Sequence, residues 1–347
     1  MRALLLSKYR QFELAEMARP PIGDDEILIR VEACGICGSD VHGFDGSSGR
    51  RIPPIVMGHE AAGTIAAVGS AVRGFNENDR VTFDSTIYCG ACANCKRGNV
   101  NLCDNRQVLG VSCNEYRRAG AFAEYVAVPA RIAYRLPDSI SFAEASMLEA
   151  VAVALHGVAL AQIQPGNSAL VIGAGTIGLL TLQALRAEGC SQVFIVDVDA
   201  TRLKRASELG ANEVILADTD PLPKLMNLTA GAGVDVAIEA VGKTDTIGVA
   251  IKAVRKGGTV VLVGNISPEV TIPLQSVVSR QIRLQGSCAS SGEYPSAIEL
   301  MAKGAIRVKD MISAIAPLEA GPQWFERLYA GEPNLMKVVL TPGHIRE

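Results

Sequence analysis

The chain has 347 residues, 48% hydrophobic and 20% charged, with a net charge of −3 from 33 basic and 36 acidic side chains. That length suits two domains at about 150 residues each and a large core that needs no disulfide staples. The near balance of charge gives no electrostatic argument for nucleic acid or an acidic membrane as partner. The opening apolar run "ALLL" is too short for a signal-peptide core, and charges follow at once. The later stretch "MLEAVAVALHGVALAQI" carries Glu149 and His156, both costly in lipid. A cytoplasmic protein is therefore expected, and in a reducing compartment its nine cysteines point to metal ligation rather than disulfides.

In chain order, residues 1–154 read as a β-rich domain of short strands and long loops. "EILIRVEA", "AAGTIAAVG", "RVTFDS" and "AFAEYVAVP" are separated by turn-forming runs such as "RPPIGDD" and "RIPPIVMGHE". From 155 to 290 strand-like and helix-like runs alternate. "SALVIGAG" leads into "TIGLLTLQALRAEG", "QVFIVDVD" into "ATRLKRASELGA", and "EVILA", "VDVAIEAVG" and "IRLQGSCA" follow. This rhythm predicts βαβ units and a parallel sheet, an α/β architecture. The tail, 291–347, holds the helix-like "YPSAIELMAKG" and "PQWFERLYAG" and the strand-like "LMKVVLTP", and is expected to return to the first domain.

Three constellations carry chemistry. The loop 89–103, "CGACANCKRGNVNLC", places Cys89, Cys92, Cys95 and Cys103 within fifteen residues. Two-residue gaps let the chain curl around one ion, and the fourth thiolate closes a tetrahedron, which predicts a structural zinc without an open position. A disulfide pair or an iron–sulfur cluster is the alternative, but the cluster spacings differ from this one.

The second constellation is the turn "GAGTIG". Gly173 permits a tight bend, Gly175 lets a pyrophosphate approach the backbone, and Gly178 lets the helix pack on the sheet, with Thr176 and Ile177 opening that helix. Asp197 ends the next strand, nineteen residues after Gly178, where a carboxylate accepts ribose hydroxyls and repels a 2′-phosphate. NAD+ rather than NADP+ is expected, with Arg202 on solvent or stacked on adenine. The alternative is that Asp197 merely caps the following helix.

The third constellation is dispersed. "GICGSDVH" carries Cys37, Ser39, Asp40 and His42, and "GHEAAG" carries His59 and Glu60. A thiolate, an imidazole and a carboxylate suit a catalytic zinc that keeps a position open. The residues alone also allow Cys37 as a buried small side chain, His59 as a core histidine and Glu60 as a surface charge.

The order "GICGSDVH", "GHEAAG", four-cysteine loop, "GAFAEY", "GAGTIG" resembles the zinc-dependent medium-chain dehydrogenases, over nearly the whole chain. The resemblance implies a GroES-like catalytic domain joined to a Rossmann doubly wound parallel sheet. It implies two Zn2+ per chain: one structural, and one catalytic on Cys37 and His59 with Glu60 as a further or exchanging ligand. Where alcohol dehydrogenases of the family place another cysteine, "SMLEAVAVALH" offers Glu149, as in the sorbitol, polyol and threonine dehydrogenase branch. That branch usually has proline after this glutamate; here Ala150 follows, which favours a water-mediated contact over direct ligation. Ser39 and His42 match the family's proton relay.

The implied reaction is oxidation of a secondary alcohol, a polyol or sugar alcohol, phosphorylated or not, by NAD+. L-threonine or a butanediol-type alcohol is the alternative substrate, and a zinc- and NAD-binding redox sensor the alternative without turnover. A homotetramer or homodimer is implied. Polyol members often carry an aromatic residue after the relay histidine; here Gly43 follows, and the arginine usual near "GSCASSGEYPSA" is missing. Arg50 and Arg51 read as an exposed loop pair, and His156 as a packed core or domain-junction residue. Cys34, Cys113, Cys190 and Cys288 read as buried small side chains, and Tyr116 and Phe122 as flanking a loop in reach of the site.

Overall fold

The computed structural model describes residues 1–111 and 117–343, and the chain forms two compact units. One comprises 1–149, 294–302 and 308–347; the other comprises 150–293 and 303–307. Cys113 and Tyr116 lie outside the described residues.

The first unit is built around the strand Glu26–Gly35, in which Ile27, Ile29 and Val31 alternate toward the core. The strand Glu60–Val68 flanks it on one side. On the other side it pairs first with Tyr125–Pro129 and then, at its far end, with Lys337–Thr341 from the tail. Gly35 thus faces Glu60 across one ladder and Val339 across the other. The tail strand comes in because its residues 338–340 are wholly buried valines and leucine, a strand too apolar to leave in water.

A second device in this unit is the short helix Gly38–Phe44. Asp40, Gly43 and Phe44 share its buried face at the i, i+3, i+4 spacing. Phe44 anchors the helix, with its ring 5.3 Å from Phe12 and 5.6 Å from Phe325. Asp40 is drawn inside with it. Phe122 also lies in this core, fully buried and edge-on to Phe325 at 5.7 Å.

The second unit is a six-stranded parallel sheet. Taken as 1 to 6 in chain order, its strands are Ser168–Ile172, Gln192–Asp197, Glu213–Leu216, Val234–Glu239, Val254–Leu262 and Arg283–Gly286, arranged 3-2-1-4-5-6. The switch in direction falls between the first and fourth strands, the place where such sheets bind nucleotides. Leu170, Val171, Val193 and Ile195 are completely buried, as expected for strands covered on both faces.

Candidate functional site

The four-cysteine loop closes on itself. The ligand atoms of Cys89, Cys92, Cys95 and Cys103 all lie within 4.8 Å of one another, and Cys92 Sγ is 3.9 Å from Cys103 Sγ. Disulfide sulfurs sit about 2.05 Å apart, so the thiols are free. Zinc–sulfur bonds of about 2.3 Å in a tetrahedron place sulfurs just under 4 Å apart, which matches. The backbone N–H groups of Ala91 and Cys92 donate to Cys89 Sγ, and that of Cys95 to Cys92 Sγ. These donors bring the Cys89 thiol down to about 6. Removal from water, and then hydrogen bonds with the neighbouring thiols, push Cys95 up to about 12. Replacing Cys103 by serine should remove one zinc per chain. Loss of such a clip costs about 4 kcal/mol or more, a Tm fall of about 8–16 °C, measured by calorimetry beside zinc analysis.

The second group lies wholly in the first unit. The ligand atoms of Cys37, His59 and Glu60 also fall within 4.8 Å of one another. Cys37 is the N-cap of the helix Gly38–Phe44, and His59 and Glu60 stand at the start of the strand Glu60–Val68. Glu60 is buried, not a surface charge, and His59 is nearly so. Asp40 connects the pieces. Its Oδ2 accepts from the Cys37 N–H at 3.3 Å, and its Oδ1 lies 3.4 Å from His59 Nδ1, at ion-pair range without a well-aligned hydrogen bond. Burial opposes charge on both groups. The His59 and Arg51 cations nonetheless hold the Asp40 carboxyl at about 2. Asp40, with the Cys37 sulfur beside it, likewise holds the His59 ring toward protonation. A proton on His59 thus answers the charge that a metal cation would, and one sulfur, one nitrogen and one oxygen donor fit zinc with a position left open.

Glu149 stands outside this group of three, at the start of the helix Leu148–Leu160. Its carboxyl is pushed up to about 7, by removal from water and by the nearby charges of Glu60 and Asp84, with His59 opposing. Tyr294 stacks on Tyr134 at 4.8 Å, and its buried hydroxyl has no hydrogen-bond partner among the described residues. Asp84 and Glu149 are near enough to raise its pKa.

Two residues of the site escaped the sequence reading. Lys337 is 3% exposed and donates from Nζ to Glu60 Oε2 at 2.5 Å. A lysine opening the otherwise apolar "KVVL" strand was the available signal. Gly35 leaves room for the pair: a Cβ there would stand 2.5 Å from Glu60 Oε2. Arg51 is not an exposed loop residue. It is 4% exposed and donates to Asp40, whereas Arg50 is exposed as expected. Ser39 and His42 lie on the exposed face of their helix, and Ser39 Oγ accepts from Arg51 Nη2 at 3.2 Å.

In the second unit Gly173 has φ +96°, a backbone favouring glycine. A Cβ on Gly178 would stand 1.7 Å from Gly173 O, so turn and helix touch there. Nothing lies within 4 Å of a Cβ on Gly175, the N-cap of the helix Thr176–Ala187, and that N-terminus has no side-chain cap. Its free N–H groups, Thr176 and Ile177 first among them, suit a pyrophosphate. Asp197 is 8% exposed; its carboxylate accepts from the N–H groups of Ala174 at 2.5 Å and Asp199 at 2.8 Å. The cap of the next helix is Asp199, which accepts from Thr201 and Arg202, so Asp197 is not that cap. Arg202 is half-exposed, 3.6 Å from Asp199. Half-buried His156 bonds Glu293 at 2.7 Å through Nδ1. Cys34 and Cys190 are buried and Cys288 half-buried. Among the described residues no helix is long and apolar enough to cross a membrane.

Residues 23–138 match the alcohol dehydrogenase GroES-like domain, and residues 176–303 match the zinc-binding dehydrogenase domain. The chain is 33% identical to a sorbitol dehydrogenase of Bacillus subtilis, over 99% of this chain and 98% of that protein. It is 35% identical to an L-idonate 5-dehydrogenase of Vitis vinifera, over 85% and 81%. Among solved structures, an Escherichia coli oxidoreductase/dehydrogenase of unknown specificity superposes with a TM-score of 0.93 at 33% identity, over 98% of both chains. A zinc-binding dehydrogenase of Sinorhizobium meliloti bound to NADP superposes at 0.89 and 33%, over 98% and 99%. With the GroES-like fold, the Rossmann sheet and these relatives together, the chain belongs to the zinc-dependent medium-chain dehydrogenases, as a polyol-type oxidoreductase.

Proposed function

We propose that this protein oxidises a secondary alcohol, a polyol or sugar alcohol, to the ketone with NAD+ as hydride acceptor. The observation that carries this reading is the three-donor group of Cys37, His59 and Glu60, with the Ser39 hydroxyl two residues from the sulfur. Zinc bound there would lower the pKa of a substrate hydroxyl as a Lewis acid, and bound NAD+ would take the hydride. The chain's own part is positioning and proton handling. Ser39 Oγ accepts the alcohol proton, and His42, exposed on the same helix, returns it to solvent. Glu149, outside the group of three, would reach a bound metal through water rather than directly.

The Gly173–Gly178 turn holds the pyrophosphate, and Asp197 selects the ribose that carries free hydroxyls. A charge-assisted hydrogen bond of about 1.5–3 kcal/mol is a factor of about 10–100. Asp197→Ser should therefore lower the ratio of kcat/KM for NAD+ to that for NADP+ by about 10–100-fold. An unchanged ratio would remove Asp197 from cofactor choice.

Sorbitol and idonate are the substrates named for the relatives above, and they support a polyol here. A butanediol dehydrogenase of Bacillus subtilis, at 27% identity and a TM-score of 0.88, supports a smaller diol as the second reading. A phosphorylated substrate loses one of its two candidate cations, because Arg51 is spent on Asp40. A homotetramer or homodimer is supported by the edge strand Arg283–Gly286 and by Leu274 and Val278, 63% and 71% exposed on the helix Leu274–Ser279 that precedes it in the chain. A sedimentation mass of one chain would contradict it. The free thiols of the zinc loop suit the reducing cytoplasm. The functional test is nicotinamide reduction by zinc-loaded protein with polyols, threonine and butanediol. Polyols should give the highest kcat/KM, and no reduction with any alcohol would leave a redox sensor.

A further inference from the structure

Arg51 is a buried cation whose one carboxylate partner among the described residues is Asp40. Its Nε and Nη2 both donate to Asp40 Oδ1, at 3.2 and 3.0 Å, and Nη2 also donates to Ser39 Oγ at 3.2 Å. Asp40 Oδ1 is the same oxygen that faces His59 Nδ1 at 3.4 Å, and Asp40 Oδ2 takes the Cys37 N–H. One guanidinium therefore fixes the relay hydroxyl and, through Asp40, the imidazole of a zinc donor. The planar fork makes this possible, because it presents several donors in fixed directions. Its path is open only because position 43 is glycine: a Cβ there would stand 2.2 Å from Arg51 Cγ and 2.9 Å from Arg51 Cβ.

We propose that Arg51 is a positioning residue of the active site, a clamp that joins Ser39 to the Asp40–His59 pair and replaces, over Gly43, the contact another side chain at 43 would make. The inference rests on the dehydrogenase reading for its catalytic half. Because Ser39 Oγ already accepts from Arg51, one of its lone pairs is committed and its orientation is set. The remaining lone pair takes the alcohol proton, and the Ser39 hydrogen points away from the guanidinium toward the next acceptor. When the Ser39 hydrogen leaves to that acceptor ahead of the arriving alcohol proton, the negative charge left on Oγ is met by a cation placed beforehand. At the metal side, Arg51 keeps Asp40 from turning, so His59 presents one ring orientation to zinc.

The experiment uses full-length, zinc-loaded protein with Arg51→Lys, Gly43→Ala, Ser39→Ala and the Ser39→Ala/Arg51→Lys double variant. Lysine keeps the charge but loses the fork, and alanine at 43 suits the helix yet displaces the arginine stem. Partners of this kind are worth about 10–100-fold in metal affinity or activity. Arg51→Lys should thus lower kcat by that order with KM nearly unchanged. It should also speed zinc loss to a chelator by about tenfold at one site while the four-cysteine zinc stays. Gly43→Ala should do the same to a smaller degree. In the Ser39→Ala background the kcat effect of Arg51→Lys should shrink to the part carried by Asp40 and His59, since one of its two targets is gone. Wild-type kcat and zinc retention in both Arg51→Lys and Gly43→Ala would overturn the proposal, as would strictly multiplicative effects of the Ser39 and Arg51 changes. Should the wild type oxidise no alcohol, the dehydrogenase reading falls, while zinc retention in the two variants still decides the clamp. If Arg51→Lys fails to fold, Gly43→Ala carries both measurements.

Discussion

Replacing Cys37 by serine should take one of two zinc ions from each chain and lower kcat/KM by about 10³-fold or more. A metal that polarises a hydroxyl contributes several kcal/mol to the transition state, and each 1.36 kcal/mol is a factor of ten. The fold should survive, because Cys37 is a half-buried cap at the edge of its helix, while the core beneath is held by Phe44. Zinc analysis, circular dichroism and kinetics on the same sample check the three parts. Two zinc ions per chain with full activity would remove Cys37 from the site.

The second large effect concerns Lys337 and Glu60, 3% and 1% exposed at the side chain. Their attraction offsets the cost of burying two charges only while both are present. Removing one partner of such a pair costs about 3–5 kcal/mol. Lys337→Met should therefore destabilise the zinc-stripped protein by that amount in chemical denaturation. With zinc bound the loss should shrink, because the ion offers the Glu60 carboxylate a second cation. Equal losses with and without zinc would mean that Glu60 never approaches the metal.

The strand and helix order of the second unit was legible because its strands are continuous apolar runs and its helices keep a helical period. "SALVI" and "QVFIVD" announce themselves without their neighbours. The zinc loop was legible for a related reason: all four sulfurs sit within fifteen residues, so local spacing encodes the geometry. The three-donor group of Cys37, His59 and Glu60 is different. Cys37 and His59 were nameable from the resemblance, but what sets their electrostatics comes from elsewhere in the chain. Lys337 reaches Glu60 across 277 residues, through a tail strand that pairs with Glu26–Gly35. Arg51 reads as a solvated loop charge until Phe44 pulls Asp40 inward and Gly43 leaves a channel for it. A charged residue is assumed to face water unless its partner is known, and sequence spacing does not reveal partners that folding brings together.

The proposed activity requires a metal where Cys37, His59 and Glu60 converge. Diffraction from crystals of the zinc-loaded protein, recorded at the zinc absorption edge, answers this directly. Two anomalous peaks per chain are predicted, one inside the ring of Cys89, Cys92, Cys95 and Cys103 and one bonded to Cys37 Sγ and His59. A single peak in the four-cysteine loop, with the sulfur of residue 37 bare in fully zinc-loaded crystals, would contradict it.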